Sequence, residues 1–160
     1  MFDIFGEFDS AEEINESADG LFNEGDFENI KVLAKENGIE ECMADMFIDG
    51  EIPMLCDVAS AAIGKLEVES EELKAQEIMM DWIEYIKLQC TEDETVARAV
   101  RKKGKSMKGC VSELLKWGFK HMYPVDSDIC KAAGVSGTVK LGIPGMGTAK
   151  KIIKEYYLGK

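Results

Sequence analysis

Apolar side chains recur at intervals of three and four through most of this chain, the spacing of amphipathic helices, with Gly, Pro and capping polar residues between the runs. Ser10-Ala11-Glu12-Glu13 has the form of a capping box and predicts a short first helix ended by Gly20. Asp26 is placed to cap a second helix over 27–37, where Ile30, Leu33 and Ala34 form the apolar stripe and Gly38 provides a left-handed exit. Ile39, Met43, Met46 and Phe47 predict a third over 39–49, making a helical hairpin with the second. Pro53 suits a first helical turn, and Leu55, Val58, Ala62 and Leu66 extend it as a fourth helix over 53–66. A fifth, over 71–90, has a wide apolar face of Ile78, Met79, Trp82, Ile83 and Ile86, which fits the central element of a bundle.

Thr91-Glu92-Asp93-Glu94 reads as a second capping box and sets a helix over 92–103, punctuated by Gly104. Met107, Cys110, Val111, Leu114, Leu115, Phe119 and Met122 give the next amphipathic run, to about His121, with Pro124 as its stop. Ser127 is placed to cap a brief helical turn through Ala133, and Thr138 to Leu141 suggest one short strand. Thr148 then caps a last helix over 149–158, whose Ile152, Ile153, Tyr156 and Tyr157 can dock on the body. The expected class is mainly α: a small helical bundle with a short β element, one strand or hairpin, near 135–143. Two subdomains are expected, 1–90 and 91–160, with one continuous domain as the alternative.

Charge divides the helices into two groups. Residues 1–97 hold 27 Asp/Glu against 5 Lys/Arg, and 98–160 hold 4 against 14, so the net charge of −12 hides a dipolar chain. Such a field steers association and selects partners. With 46% hydrophobic residues the 160-residue chain can bury a real core. No stretch approaches the ~18 apolar residues of a membrane span, no basic leader opens the sequence, and the expected location is cytoplasmic. Five dispersed cysteines without a C-x-x-C pair signal neither a disulfide frame nor a zinc site, and reduced thiols are expected.

Few residues carry recognisable chemistry. The segment 142–150, Gly-Ile-Pro-Gly-Met-Gly-Thr-Ala-Lys, sits where a phosphate loop would, but Thr148 and Ala149 replace the Lys and Ser/Thr that must follow the last Gly. It reads as a Gly-rich turn that starts a helix. Around Asp45, Asp49 and Gly50 a calcium loop would require ligands where Phe47 and Cys56 stand. His121 is the single histidine and fits packing or capping better than catalysis. No catalytic residue, cofactor site or metal site is expected, and the chain reads as a non-enzyme. The turn after Leu33 and Ala34 resembles a helix-turn-helix, but its acidic setting would repel DNA.

Arg98, Arg101, Lys102 and Lys105 fall at i, i+3, i+4 and i+7, so a helix continuing through Gly104 would place them on one face, beside Lys103 and Lys108. Arg98, Arg101, Lys102, Lys105 and Lys108 are therefore the candidate anion or nucleic-acid contacts. The competing reading is that they pair internally with the acidic half or are simply solvated. The acidic half likewise has two readings: a phosphate mimic that occupies basic grooves, or a solvated helical surface.

The stretches MFDIFGEFDSAEEINE (1–16), CTEDETVARAVRKKGKSMKGC (90–110) and AKKIIKEYYLG (149–159) resemble small proteins of mobile elements in gut Firmicutes, the PcfK-like family of conjugative plasmids. Some members of that family are anti-CRISPR inhibitors of the type II effector nuclease. The resemblance implies a helical, non-enzymatic inhibitor that binds the CRISPR effector nuclease of a bacterial host through its acidic helices. The alternative is an accessory protein of conjugation or phage replication that binds nucleic acid through 98–108. Five thiols and nine methionines also suit a hidden interface, and a homodimer belongs among the expectations.

Overall fold

The computed structural model describes residues 2–159 and is mainly α, with a short two-stranded β element. It divides into two compact units, Met1–Lys108 and Gly109–Lys160. The division therefore falls after the basic segment, not at the expected 90/91. The reason is that 98–108 makes its buried contacts with the acidic helices that precede it, as detailed below.

The first unit opens with α1 (Ala11–Glu24), where the Ser10 hydroxyl accepts from the Glu13 amide. Glu13 reaches back to the Asp9 N–H, one residue earlier than a standard capping box. Ala11, Ile14 and Ala18 form the buried face. The helix runs through Gly20 and ends at Gly25, whose φ of 74° supplies the left-handed exit. A glycine in a helix weakens it without terminating it when the next turn still bonds. Asp26 caps α2 (Phe27–Glu36), which buries Ile30, Leu33 and Ala34, and α3 (Glu41–Ile48) returns against it.

Pro53 does not start a helix. Asn15 holds the backbone of Cys56 by two bonds, Nδ2 to the Cys56 carbonyl at 2.8 Å and the Cys56 N–H to Oδ1 at 3.1 Å. Leu55 is thereby buried outside any helix, and Asp57 caps α4 (Val58–Leu73) through the Ser60 N–H. The fourth helix thus continues past Leu66 until Lys74 takes a left-handed φ of 49°. The fifth is displaced accordingly: α5 spans Ile78–Glu92 and buries Trp82, Ile83, Ile86 and Cys90. The second capping box does not form. Thr91 donates its hydroxyl to the Leu88 carbonyl inside α5, and Asp93 caps α6 (Glu94–Arg101) through the Thr95 N–H.

The central element is α4, not α5: α1, α5 and α6 all pack on it. Gly64 makes that position accessible. A methyl group there would run into the Asn37 carbonyl, and Gly38 with φ of 65° faces Gly64 from the turn after α2. Two backbones meet where neither has a side chain. Around this crossing lies the core of Ile14, Ile30, Leu33, Phe47, Leu55 and Ala61.

The second unit contains most of α7 (Met107–Lys120), β1 (Tyr123–Pro124), α8 (Ser127–Ala132), β2 (Lys140–Leu141) and α9 (Met146–Leu158). Leu114, Cys130, Ala149 and Ile153 are buried in it. The strands are antiparallel with Tyr123 opposite Leu141 and Pro124 opposite Lys140. Pro124 does more than stop α7; it lies in an edge strand, where a missing N–H is tolerated. Asp126, rather than Ser127, caps α8. The Gly-rich segment forms the turn before α9, which starts three residues earlier than expected: Gly145 is its N-cap and Thr148 lies inside the helix.

The Gly64 crossing predicts that Gly64→Ala lowers unfolding free energy by about 2 kcal/mol or more, the range of an overpacked core. Gly20→Ala, in helical backbone with open space around it, should raise it by about 0.5 to 1 kcal/mol. Urea denaturation of the two variants measures both.

Candidate functional site

The basic segment is organised by one stripe of α4, on which Ala61, Lys65 and Glu69 recur every four residues. Arg101 is 1% exposed. Its Nη2 donates to the Asn37 Oδ1 at 2.6 Å, Nη1 to the Ala61 carbonyl at 3.3 Å and Nε to the Phe8 carbonyl at 3.2 Å, with the Phe2 ring over the guanidinium at 5.6 Å. Asn37 is itself fixed by donating Nδ2 to the Leu33 carbonyl. Burial pushes the Arg101 pKa down from its ordinary value, against the pull of nearby acids.

Lys65, also 1% exposed, places its ammonium at the C-terminal end of α6. It donates to the Lys102 carbonyl at 2.9 Å, the Lys105 carbonyl at 2.7 Å and the Glu7 carboxylate at 2.6 Å. A cation there satisfies carbonyls that the helix leaves unbonded and complements its dipole. Four residues on, Glu69 accepts from the Met107 N–H at 2.7 Å. Burial raises the Glu69 pKa, and that bond and the Lys65 charge offset the rise in part.

The outer cations are held by the acidic N-terminal stretch. Arg98 bonds Glu12 and Glu94, both at 2.8 Å, and the Arg98 bond holds the Glu12 pKa below the usual carboxylate range. Asp9 accepts from the Lys103 N–H at 2.8 Å, which lowers its pKa, and stands 3.6 Å from the Lys102 ammonium; Glu13 stands 3.8 Å from that of Lys103. The predicted stripe is therefore corrected. The helix stops at Arg101, the backbone turns at Lys102, and Gly104 takes a φ of 78°, so Lys105 and Lys108 lie beyond α6. Arg101 faces the core, Arg98 and Lys102 pair with acids, and Lys108 is exposed in the first turn of α7. Internal pairing accounts for the segment better than an open phosphate-binding face.

What the first unit presents outward is a groove of about 640 Å³ between α2, α3 and α4. Val32, Ile39 and Val68 supply its apolar lining, and Glu28, Glu41, Glu67 and Glu71 outnumber Lys31 and Lys35 among its charged residues. Lys31 is committed to Asp45 at 2.7 Å and to Glu41 at 3.7 Å. Outside the groove proper, Lys87 bridges Glu67 and Glu84. The sequence signal for the groove is faint: Val32 and Val68 are apolar residues outside the stripes that fill the core. Buried Lys65 and Glu69 left no signal in apolar periodicity at all.

In the second unit His121 stacks on Trp117 with ring centroids 4.3 Å apart, and its Nδ1 lies 2.8 Å from the Trp117 carbonyl. This is a helix-end cap. Burial pushes the Cys56 and Cys90 thiols up to about 12, so neither is a nucleophile at neutral pH. Among the described residues no cluster of His, Cys, Asp or Glu is arranged to hold a metal ion, and no helix is long and apolar enough to cross a membrane. No protein-family model, curated protein or solved structure matches the chain.

Arg101→Ala should destabilise the fold by about 3 kcal/mol or more, since it leaves Asn37 and the Ala61 carbonyl buried without their partner, while Arg98→Ala should leave the unfolding midpoint nearly unchanged. Chemical denaturation separates the two. Glu69 also has a definite pH signature. Its folded pKa lies above the unfolded value, so its contribution is most favourable below about pH 4.5 and declines as pH rises through the folded pKa. Glu69→Gln should therefore gain on the wild type between pH 4 and pH 7; a gap that shrinks over this interval would contradict the assignment.

Proposed function

We propose that this chain is a non-catalytic interaction protein that places the acidic groove of its first unit against a basic, nucleic-acid-handling surface of another protein. The partner is the CRISPR effector nuclease of a bacterial host, and the chain acts in the cytoplasm as an anti-CRISPR-type inhibitor. The observation that carries this reading is the groove between α2, α3 and α4, with an apolar lining and a carboxylate majority. Residues 1–108 carry 27 Asp/Glu against 11 Lys/Arg, and most of those 11 cations are spent on internal pairs or carbonyls. The outward field is therefore strongly negative, as a surface requires if it is to replace nucleic acid in a positively charged channel.

The nucleic-acid alternative needs the cations of 98–108 to face solvent together. Pairing of Arg98 and Lys102 and burial of Arg101 weigh against it. The choice of effector nuclease rests on the resemblance of 1–16, 90–110 and 149–159; the groove supports only the charge and shape of the partner surface.

The test is binding of purified effector nuclease and of duplex DNA at about 0.1 M and 0.5 M salt, ionic strengths that bracket strong and weak screening. The wild type should bind the nuclease, more weakly at high salt, and should not shift DNA. Glu28→Lys with Glu71→Lys should reduce nuclease binding at least tenfold. Binding to DNA alone, or nuclease binding indifferent to both reversals, would overturn the reading.

A further inference from the structure

The second unit carries an exposed apolar patch that its fold does not use. On α7, Leu115 and Phe119 lie at i and i+4, and Met122 follows just past the helix end; they are 60%, 67% and 45% exposed. The β element extends the same surface. Gly142 packs its backbone against Gly118 and lies next to the Met122 side chain, and Tyr123 pairs with Leu141. Tyr123, Leu141 and Ile143 are exposed as well. Exposed Lys116, which is paired with Glu113 at 2.7 Å, and Lys120 follow Leu115 and Phe119 on α7, and exposed Lys140 precedes Leu141 on β2. Residues 109–160 hold 8 Lys against 4 Asp/Glu, so the patch lies in a basic unit, with Lys120 and Lys140 as its neighbouring cations. Contiguous exposed apolar surface with a polar rim marks an interaction site.

The first unit carries a surface of the opposite kind. Where α1 hands over to α2, Phe22 and Phe27 project together, ring centroids 5.6 Å apart and 38% and 43% exposed. Phe22 is braced from behind by the edge of Phe47 at 5.7 Å. Exposed Asp19, Glu24 and Glu28 surround the pair. This is an aromatic knob with an acidic rim, held rigid by a buried ring.

From this complementarity we infer that the occupant of the lysine-rimmed patch is a second copy of this chain, which docks its Phe22–Phe27 knob onto the Leu115–Phe119–Met122 surface. Aromatic anchors entering apolar surface provide the contact energy, and the opposite rims set orientation and speed association. The two surfaces differ, so the contact is heterologous: each bound copy offers a further knob and a further patch, and assembly continues into rings or chains. The inference does not depend on the identity of the partner proposed above, and the knob and patch substitutions leave Glu71 in place.

Sedimentation of the wild type at concentrations up to about 100 µM, where weak protein pairs are populated, should show mass rising with concentration, less at about 0.5 M salt. Phe22→Asp and Phe119→Asp should each weaken self-association at least tenfold. An equimolar mixture of the two should form a 1:1 heterodimer that grows no further, because one intact knob and one intact patch remain. Phe27→Asp and Leu115→Asp form a second, independent pair, and circular dichroism identifies any variant that fails to fold. A wild type that stays monomeric throughout would overturn the inference. So would a mixture that stays monomeric while the wild type associates, or association abolished by Phe119→Asp and untouched by Phe22→Asp.

Discussion

Two cations are withdrawn from water in the first unit, and most of its architecture follows from satisfying them. A buried charge without a partner is unaffordable to a fold of ordinary stability, so Arg101 and Lys65 must find acceptors at fixed distances. Arg101 takes the Asn37 amide oxygen and two carbonyls, and Lys65 takes Glu7 and the carbonyls that end α6. These bonds join the N-terminal stretch, the turn after α2, the middle of α4 and the end of α6. The near contact of Gly38 and Gly64 is part of the same arrangement, since it brings Asn37 close enough to α4 to share Arg101 with Ala61.

The same constraint decides what the charge asymmetry means. A chain with opposite charges at its two ends can present both to partners or use one against the other. Here Asp9, Glu12 and Glu13 are set against the cations of the basic segment, and Glu7 against Lys65 of α4. Glu28, Glu41, Glu67 and Glu71 of α2, α3 and α4 remain on the outside with few cations among them. The negative field is thus narrowed to one part of the first unit, and the basic character that remains outward is concentrated in the second unit. Individually the surface pairs contribute little stability, but as a group they remove an open cationic face.

Helix existence was legible in the sequence wherever a side chain could cap or an apolar stripe was clean. Ser10, Asp26 and the run from Met107 to Leu114 placed α1, α2 and α7, and the strand residues Lys140 and Leu141 fell within the predicted segment. Boundaries failed where long-range contacts replaced local signals. Asn15 holds Cys56 from 41 residues away and postpones α4 to Val58. The short connection through Asp93 ends one helix and caps the next, overriding a local box that began at Thr91. Local capping competes with tertiary geometry and loses when the latter fixes the chain on both sides.

By itself the sequence determined the helical class, the separation of charge and the absence of a recognisable nucleotide or metal motif, because periodicity, composition and ligand spacing are local properties. Only the tertiary structure decided what the basic segment does. Spacing of three and four says that Arg98, Arg101 and Lys102 share a helix side, but not whether that side meets water or another helix. Arg101 is turned inward because α4 offers Ala61 and the preceding turn offers Asn37 at bonding distance, and no local pattern encodes a pairing between residues 64 positions apart. The groove and the exposed knob and patch are likewise products of packing: each is the part of an apolar or acidic surface that no neighbouring helix covers.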